Sequence, residues 1–345
     1  MTVRMKAATL HETGKPLVIE DLAIPTPGYG EVLVQTKACG MCATDLHIQD
    51  GWGYEPALPF VMGHEPAGIV AALGDGVRNF QPGERVVPHI FYTCGNCHHC
   101  RTNRETLCTG LDGILGVLNH HGAYAEYFTI PARQLFHLPE NISFTDGSVI
   151  ADAVVCAVHA VRRRAQVYPG DWVLVMGVGG VGLSVLQAAR SAGARVIAAD
   201  INDAKLEQAK RMGACEALLA QRDEFAASVK SLTGGEGVSV VFDCHGSEQT
   251  LRNGVASLRK NGRLVIIGYT REKYPLAPHW MSRCELEIVG SRSGGRQDTA
   301  DAIELVGSGH WHSIVSDTFP LEEINEALGL MRTGKSKGRV VITFD

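Results

Sequence analysis

The chain has 345 residues, of which 45% are hydrophobic and 20% charged, and its formal net charge at pH 7 is −5. This length exceeds the size at which a single hydrophobic core usually stops growing, so we expect two domains. The acidic balance supplies no positive field for nucleic acid, and no uncharged apolar run reaches the length of a membrane-spanning helix. We therefore expect neither a nucleic-acid partner nor a membrane partner.

The residues from Met1 to Glu12 lack the apolar core and cleavage site that are typical of a secretory signal. The chain contains ten cysteines, which in a short secreted protein would indicate a disulfide framework. In a long chain without a signal, clustered cysteines indicate metal ligation in a reducing compartment instead. We therefore expect a cytoplasmic protein.

Up to about residue 150 the sequence reads as short strands separated by glycine, proline and polar turn residues. Pro27-Gly28 leads into an apolar strand at 31–34, and Pro82-Gly83 leads into another at 84–87. Few helical periods interrupt this pattern. It predicts a β-rich domain, such as a small barrel or sandwich.

Three polar features of this half are not explained by folding. They are the string CATDLH at 42–47, the string GHE at 63–65, and Asp152 inside an otherwise apolar stretch. A buried charge needs a partner. A catalytic zinc ion takes three protein ligands and leaves a fourth position for water or substrate. Cys42, His64 and Asp152 would supply such a set.

A second group of candidate metal ligands lies in one short loop with the spacing C-x2-C-x2-C-x7-C. Its members are Cys94, Cys97, Cys100 and Cys108. Thiolate sulfurs bind Zn²⁺ in a closed tetrahedron, and such a four-sulfur site holds structure rather than performing chemistry. We predict a structural zinc site in this loop.

After about residue 155, apolar strands alternate with helices, a pattern that predicts a parallel sheet with crossover helices. We expect strand 172–176, helix 180–192, strand 195–199, helix 203–212, strand 239–243, helix 248–259 and strand 263–267. A strand at 287–290 would close this domain. Beyond it, the sequence predicts a helical stretch at 299–307 and a final strand at 339–342.

The first strand of this region leads into a glycine-rich string, GVGGVG, which fits the dinucleotide-binding pattern G-x-G-x-x-G. Glycines let the backbone turn tightly and approach a pyrophosphate, which then lies at a helix N-terminus. The residues expected at the pyrophosphate are Gly177, Gly179, Gly180, Val181 and Gly182. The alternative is a tight strand-to-helix turn that binds no cofactor.

Asp200 ends the next strand, eighteen residues after Gly182. A carboxylate at this position would accept hydrogen bonds from the adenosine ribose hydroxyls and repel a 2′-phosphate. No arginine follows it immediately, since Ile201 and Asn202 come next. These features favour NAD over NADP.

The chain resembles the zinc-dependent medium-chain alcohol dehydrogenases over essentially its full length. The strings that carry the resemblance occur in the family's order and approximate spacing. They are C-x-T-D at 42–45, G-H-E at 63–65, the four-cysteine loop, A-E-Y at 125–127 and G-x-G-G-V-G at 177–182.

The resemblance implies an α/β fold with two domains. A GroES-like, β-rich catalytic domain would comprise residues 1–153 and 291–345. A Rossmann domain with a doubly wound parallel sheet would comprise residues 154–290 and bind NAD.

For the catalytic zinc, the resemblance implies Cys42, His64 and Asp152 as ligands, with Glu65 as a nearby or alternate ligand. Many relatives carry cysteine at the third ligand position. Cys156 is therefore a rival of Asp152, one helical turn along if the segment is helical. We favour Asp152 because a buried carboxylate without a metal would be strongly unfavourable.

The resemblance also implies the chemistry. Zn²⁺ as a Lewis acid would lower the pKa of the alcohol, so that hydride can leave its carbon for the nicotinamide at neutral pH. Thr44 would take the alcohol proton and pass it through the cofactor ribose to His47. Asp45 would orient His64 through its other ring nitrogen.

Two further cofactor contacts follow from the resemblance: Lys205 near the adenosine ribose and Arg339 near the pyrophosphate. One position departs from the family, because Ala43 stands where relatives often carry a histidine or arginine that contacts the pyrophosphate. We expect that difference to weaken cofactor binding or to speed NADH release.

Other polar or aromatic residues have plainer explanations. His98 and His99 lie in the four-cysteine loop, where the sulfurs already complete the tetrahedron. His120 and His121 would suit a hydroxylated or carboxylated substrate, but an exposed turn explains them better. Three apolar residues could line the substrate pocket, although core packing accounts for the last two nearly as well: Trp52, Ile90 and Phe91.

We therefore expect an NAD-dependent dehydrogenase with two zinc ions per chain that interconverts a primary or secondary alcohol with its aldehyde or ketone. A polyol or amino-alcohol dehydrogenase, of the sorbitol or threonine type, would share this machinery. A non-catalytic protein on this fold is disfavoured because all the parts are present, and complete metal sets oppose a zinc-free quinone oxidoreductase. Relatives of this length are commonly tetramers, so we expect a homotetramer, with a dimer as the alternative.

Overall fold

The computed structural model describes residues 3–221 and 224–345, and the chain divides into two compact units. The first unit comprises residues 1–152 and 295–345, and the second comprises residues 153–294. The domain boundaries expected from the sequence, after residues 153 and 290, fall one and four residues away from these divisions.

The first unit is rich in β-structure. Its strands, numbered in chain order, are β1 Arg4–Leu10, β2 Val18–Ala23, β3 Glu31–Met41, β4 Phe60–Val61, β5 Glu65–Leu73, β6 Arg85–Pro88, β7 Phe91–Tyr92, β8 Gly113–Leu115, β9 Asn119–His120, β10 Tyr127–Pro131, β11 Leu135–His137, β18 Val315–Pro320 and β19 Arg339–Thr343. Its helices are α1 Ala43–Gln49, α2 His98–Arg101, α3 Phe144–Val149, α10 Arg296–Gly307 and α11 Ile324–Arg332.

The largest sheet of this unit has the order β11-β6-β5-β3-β19-β18, and β10 also pairs with β3. Two small sheets have the orders β2-β1-β4 and β7-β8-β9. Apolar residues of β3 and β10, such as Val34 and Ile130, are fully buried. The β-rich character expected of the first half of the chain is confirmed.

Strand β3 explains why distant parts of the chain meet at one place. It runs antiparallel to both β5 and β19, with Gly40 opposite Glu65 and Met41 opposite Val340. In antiparallel pairs, the end of one strand lies beside the beginning of its neighbour. The residues that follow β3 therefore lie next to the first residues of β5 and β19.

The second unit contains one parallel sheet with helices. Its strands are β12 Trp172–Met176, β13 Arg195–Asp200, β14 Glu216–Leu219, β15 Val238–Asp243, β16 Leu258–Ile266 and β17 Glu287–Gly290. Its helices are α4 Val155–Val158, α5 Gly180–Ser191, α6 Asp203–Arg211, α7 Phe225–Leu232, α8 Glu248–Ser257 and α9 Pro278–Cys284. Leu174, Ile197 and Val241 belong to its hydrophobic core.

The strand order of this sheet is β14-β13-β12-β15-β16-β17. The chain moves outward in one direction from β12 and then in the other direction from β15. The topological switch point therefore lies between β12 and β15, and ligands of such sheets bind outside the carboxyl ends of the strands at that point. The doubly wound sheet expected from the alternating pattern is confirmed.

Most expected elements of the second half begin and end within a few residues of the observed ones. One prediction was wrong: helix 248–259 ends at Ser257, and β16 begins at Leu258 rather than at residue 263. The reason is that Leu258 is extended and pairs with Val238 in the sheet. The elements that were not predicted include β14, α7, α9, β18 and α11.

A long helical segment, Phe144–Ala165, follows β11. A π-helical turn at Ile150–Val154 joins α3 to α4, and a second one at His159–Ala165 follows α4. Among the described residues it is the one helix long and apolar enough, by length and composition, to cross a membrane. However, 78% of the window that passes this test is buried inside the protein, as in the core helix of many proteins that do not enter membranes.

Candidate active site and metal centres

Four buried side chains of the first unit gather at the end of β3, and each offers one potential metal-ligand atom. They are Cys42, His64, Glu65 and Asp152, and these atoms all lie within 4.8 Å of one another. Cys42 Sγ is 3.6 Å and His64 Nε2 is 3.9 Å from Asp152 Oδ2. Donors around a tetrahedral zinc ion lie about 3.3–3.8 Å apart, so a small inward adjustment would close the set around zinc.

The local backbone accounts for the position of each ligand. Cys42 directly follows β3, has an extended conformation and begins helix α1. His64 and Glu65 lie at the start of β5, beside the end of β3. Gly63 precedes them with φ +97°, and a Cβ there would lie 2.7 Å from the Tyr124 backbone nitrogen, so only glycine fits. Asp152 lies in the first π-helical turn of the long helix, a feature that recurs at functional sites.

Asp45 connects these ligands to one another. It is fully buried, and its Oδ2 accepts hydrogen bonds from Cys42 N at 2.8 Å and from Tyr124 Oη at 2.9 Å. Its Oδ1 lies 3.4 Å from His64 Nδ1. Carboxylates in this position orient a metal-binding imidazole through the ring nitrogen that does not face the metal. The geometry leaves His64 Nε2 directed towards Asp152.

The electrostatics of this group follow from its burial. Burial alone would lower the pKa of His64, but Asp45 and Cys42 raise that pKa well above its ordinary value. Burial raises the pKa of Tyr124 well above its usual range, so its hydroxyl keeps the proton that it donates to Asp45. Tyr124 was not predicted to belong to the site. The only signal was its place beside the A-E-Y string.

Arg339 is buried against the carboxylates of this cluster. Its Nε donates to Glu65 Oε2 at 2.9 Å, its Nη2 donates to Glu65 Oε1, and Nη2 lies 3.4 Å from Asp152 Oδ2. Burial raises the pKa of Glu65 to about 7, and Arg339 opposes that shift. Gly40 makes room for this ion pair, because a Cβ there would lie 2.2 Å from Glu65 Oε2. A role for Arg339 at the pyrophosphate stays a prediction.

Thr44 and His47 lie on α1, three residues apart, and both side chains are half-buried. Thr44 Oγ1 is 3.7 Å from Cys42 Sγ. The indole of Trp52 covers the imidazole of His47, with ring centroids 3.9 Å apart. Helix α1 thus carries a hydroxyl beside the metal ligands and an imidazole one turn further on.

The four cysteines of the loop at 94–108 form the second metal-competent group of the described residues. The sulfur–sulfur distances are 3.5 Å for Cys97–Cys100 and Cys94–Cys108, and 3.9 Å for Cys94–Cys100 and Cys97–Cys108. A zinc–sulfur distance of about 2.3 Å gives tetrahedral edges of about 3.8 Å. The loop therefore has the dimensions of a four-sulfur zinc site.

Backbone N–H groups favour thiolates in this loop. Cys97 Sγ accepts from Cys100 N at 3.5 Å, and Cys108 Sγ accepts from Cys94 N at 3.4 Å. The bond from Cys100 N and one from the backbone of Thr109 lower the pKa of Cys97 to about 5. A thiolate is the form that binds a metal. The chemistry of this loop therefore fits zinc.

The remaining residues considered from sequence lie in ordinary surroundings. His120 Nε2 is 2.8 Å from Asp112 Oδ2, and its ring stacks on Tyr92. His121 Nδ1 accepts from Val61 N at 3.1 Å. Ile90 and Phe91 are buried. Neither metal-competent group of the described residues includes His98, His99, His120 or His121.

The glycine-rich string forms the turn between β12 and α5 in the second unit. Gly177 has φ +82°, and a Cβ at Gly182 would lie 1.9 Å from Gly177 O. Gly179 is the N-cap residue of α5, and no heavy atom lies within 4 Å of where its Cβ would be. The first and last glycines allow the tight turn, and the middle one leaves open space before a helix N-terminus, which suits a pyrophosphate.

Asp200, at the end of β13, is joined to this turn. Its Oδ2 accepts from Val178 N at 2.9 Å, and its Oδ1 accepts from Asn202 N at 3.0 Å. Each carboxylate oxygen has a second lone pair that a ribose hydroxyl can use. Lys205 is half-buried on α6, five residues later. The residues of this edge fit an NAD molecule.

Comparison with known proteins agrees with this geometry. Residues 28–140 match the family model "Alcohol dehydrogenase GroES-like domain", and residues 180–308 match "Zinc-binding dehydrogenase". The chain is 35% identical to an alcohol dehydrogenase of Geobacillus stearothermophilus over 99% of this chain and 100% of that one. It is 31% identical to a sorbitol dehydrogenase of Bacillus subtilis, with 94% and 92% of the two chains covered.

A solved structure described as an NAD-dependent alcohol dehydrogenase superposes with a TM-score of 0.94 and 32% identity, covering 99% of this chain and 100% of that one. Both halves of the chain therefore match the same kind of enzyme, and both metal sets and the nucleotide turn are present. This chain belongs to the zinc-dependent medium-chain alcohol dehydrogenases.

Proposed function

We propose that Cys42, His64 and Asp152 hold the catalytic zinc ion of this NAD-dependent alcohol dehydrogenase, with the fourth position left for substrate. The observation that carries this proposal is the gathering of four buried donor groups within 4.8 Å. When bound there, zinc supplies Lewis-acid stabilisation of the negative charge that develops on the substrate oxygen.

Asp152 is favoured over Cys156 as the third ligand. Asp152 Oδ2 lies 3.6 Å from Cys42 Sγ, inside the group of donors. Glu65 also belongs to that group, but Arg339 already binds both of its carboxylate oxygens. Glu65 would therefore act beside the metal, keeping Arg339 in place, and would not be one of the three permanent ligands.

Two residues of α1 would accept the proton that leaves the alcohol and release it to solvent. Thr44 Oγ1 lies 3.7 Å from Cys42 Sγ, so its hydroxyl is next to the position that a substrate oxygen would take. Thr44 would accept the proton, and His47, half-buried one helical turn further on, would release it to solvent. Asp45 holds His64 in the tautomer that presents Nε2 to the metal.

In the second unit, Gly177, Gly179, Gly180, Val181 and Gly182 would bind the pyrophosphate of NAD at the start of α5. Asp200 would hold the adenosine ribose, which favours NAD over NADP. Lys205 would lie near the same ribose, and Arg339 would contact the pyrophosphate. The last assignment has weaker support, because Arg339 is already bound to Glu65.

The substrate class we propose is a primary or secondary alcohol and its aldehyde or ketone. A polyol dehydrogenase is the second candidate, since a sorbitol dehydrogenase is among the relatives over nearly the full chain. The two candidates share the metal and cofactor residues. They differ in the pocket alone.

One experiment tests the site and the substrate class together. NADH formation is measured with short alkanols, secondary alcohols, aryl alcohols and polyols, for the enzyme and for Asp152→Ala and Cys156→Ala, and bound zinc is counted in each protein. We expect two zinc ions per chain, one in Asp152→Ala, and two in Cys156→Ala. Full zinc retention in Asp152→Ala would reverse the choice of ligand, and turnover of polyols alone would replace the substrate class.

Cellular location and assembly belong to the same proposal. The ten cysteines all lie in the described residues and none of them forms a disulfide bond, which supports a reducing compartment such as the cytoplasm. A homotetramer, with a dimer as the alternative, is supported by the family alone. Light scattering of the purified enzyme gives the mass that decides between them.

A further inference from the structure

Helix α10 begins without a capping side chain of its own. Its N-cap residue is Gly295, which has no side chain, and Gly295 is also the first residue of the segment that returns to the first unit. The first N–H groups of any helix have no partner within the helix and need one from elsewhere. Asp298 Oδ2 accepts a hydrogen bond from Gly295 N at 2.9 Å. The next N–H groups depend on other parts of the chain.

Those partners come from the four-cysteine loop. Asn103 Oδ1 accepts from Gln297 N at 3.0 Å, across 194 residues of sequence. Glu105 is buried, and the backbone N–H of Arg296 donates to its carboxylate. Both residues lie between Cys100 and Cys108, the last two ligands of the loop. The loop thus places an amide oxygen and a carboxylate at the positive end of the α10 dipole, where both are favourable.

The contact is close and shaped by sequence. A Cβ on Gly295 would lie 2.4 Å from Glu105 Oε2, 2.5 Å from Asn103 Oδ1 and 2.9 Å from the backbone oxygen of Asn103, so a larger residue would displace both capping side chains. Asn103 itself has φ +54°, a left-handed conformation that asparagine adopts more readily than most residues. The missing side chain at Gly295 and the left-handed backbone at Asn103 therefore both serve the contact between the loop and the start of α10.

We propose that the four-cysteine zinc loop supplies the N-terminal cap of α10 through Asn103 and Glu105, and so fixes the start of the returning segment. The zinc ion would hold Cys100 and Cys108, and the seven-residue loop between them would hold the two capping residues at the helix. Asn103 and Glu105 are positioning residues in this arrangement and touch neither substrate nor cofactor.

Fixing the start of α10 would also affect the residue that packs against its first turn. Thr299, in the first turn of α10, is fully buried, and its Oγ1 lies 3.4 Å from His89 Nδ1. His89 immediately precedes Ile90 and Phe91, the two residues considered from sequence for the substrate pocket. Zinc in the loop would thereby also help to fix the position of residues 89–91, which lie outside the loop.

The test uses hydrogen–deuterium exchange of full-length, zinc-loaded enzyme, read on peptides that cover residues 295–301. Asn103→Gly and Asn103→Asp both tolerate a left-handed backbone, but only aspartate can accept from Gln297 N. We expect exchange of these peptides to be about fivefold faster in Asn103→Gly, the change produced by loss of one cap, and near the original rate in Asn103→Asp. Thr102→Ala is the matched control, because Thr102 Oγ1 bonds to His98 O inside the loop.

A second arm removes the metal from the loop with Cys97→Ala, and the same peptides should again exchange faster. Peptides from α11, Ile324–Arg332, serve as the internal reference and should not change. Unchanged exchange at 295–301 in Asn103→Gly or in Cys97→Ala would overturn the proposal. So would equal acceleration in Asn103→Gly, Asn103→Asp and Thr102→Ala. None of these readings depends on turnover, so they stand apart from the substrate and catalytic-ligand assignments.

Discussion

The two metal centres of this protein are built in opposite ways. The cysteines at 94–108 come from one loop, are partly exposed except for Cys108, and offer four identical sulfur atoms. The donors at Cys42, His64, Glu65 and Asp152 come from three separate places in the chain, are all buried, and include a thiol, an imidazole and carboxylates. The cysteine loop can close around an ion without other parts of the chain. The buried donors come together only when the large sheet has formed.

The difference extends to charge. In the loop, a zinc ion would balance the thiolate charges, together with the backbone N–H groups that donate to Cys97 and Cys108. The buried cluster instead contains a permanent cation, Arg339, which faces Glu65 and Asp152. A metal lost from the loop should weaken the local fold, because like charges are then left together. A metal lost from the buried cluster should leave the fold in place and remove the chemistry.

The largest effect should come from removing a ligand of the buried cluster. For Cys42→Ser we expect kcat/KM to fall roughly 10³-fold, since Lewis-acid stabilisation supplies several kcal/mol. Thermal unfolding should change little, and one of two zinc ions should be lost. Cys39→Ala is the matched control, because Cys39 is a buried neighbour outside both metal groups of the described chain. Near-normal activity in Cys42→Ser would contradict the ligand assignment.

The converse change is Cys97→Ala in the loop. Here we expect a loss of about 3–4 kcal/mol in the free energy of unfolding, the contribution of an ion present at 100–1,000 times its Kd. The folded fraction should keep most of its activity and one zinc ion. Denaturant unfolding with parallel metal analysis measures both quantities. If Cys97→Ala abolishes activity in folded protein while stability is preserved, the contrast between the two centres fails.

The smallest effect concerns acid. Burial lowers the pKa of His89 to about 3, with Arg296 acting in the same direction. Since the unfolded chain binds the His89 proton near pH 6.5 and the folded chain does not, the folded state should lose about 1.4 kcal/mol per pH unit below 6.5, or about 2 kcal/mol by pH 5. This loss adds to any caused by protonation of the metal ligands in either centre.

His89→Asn removes the His89 term and leaves both ligand sets intact. Unfolding measured at pH 7.0, 6.0 and 5.0 should therefore show a shallower decline in the variant than in the original protein. Parallel declines would mean that His89 is protonated in the folded state and that the acid sensitivity lies at the metal centres.

Sequence identified the parts of the molecule that depend on local patterns. The alternation of β12, α5, β13 and α6 follows from apolar runs, glycines and caps, and these elements were predicted nearly to the residue. The cysteine loop could be recognised because all four ligands lie within fifteen residues. In each case the chemistry depends on neighbours in the chain.

Long-range contacts could not be predicted in this way. The hydrogen bond from Tyr124 to Asp45 depends on how β3, β5 and the segment before β10 come together, and no local pattern specifies it. The ion pair of Arg339 with Glu65 depends on the register of β19 against β3. The early end of α8 was missed because pairing of Leu258 with Val238 overrode the helical pattern.

The register of β19 has a consequence for the order in which the protein matures on the ribosome. Glu65 lies 274 residues before Arg339, so its carboxylate can meet its cationic partner only after residue 339 has left the ribosome. The cysteine loop is complete once residue 108 has emerged. A nascent chain can therefore load its first zinc ion early in translation, whereas the ion pair beside the catalytic ligands must await the strand that carries Arg339.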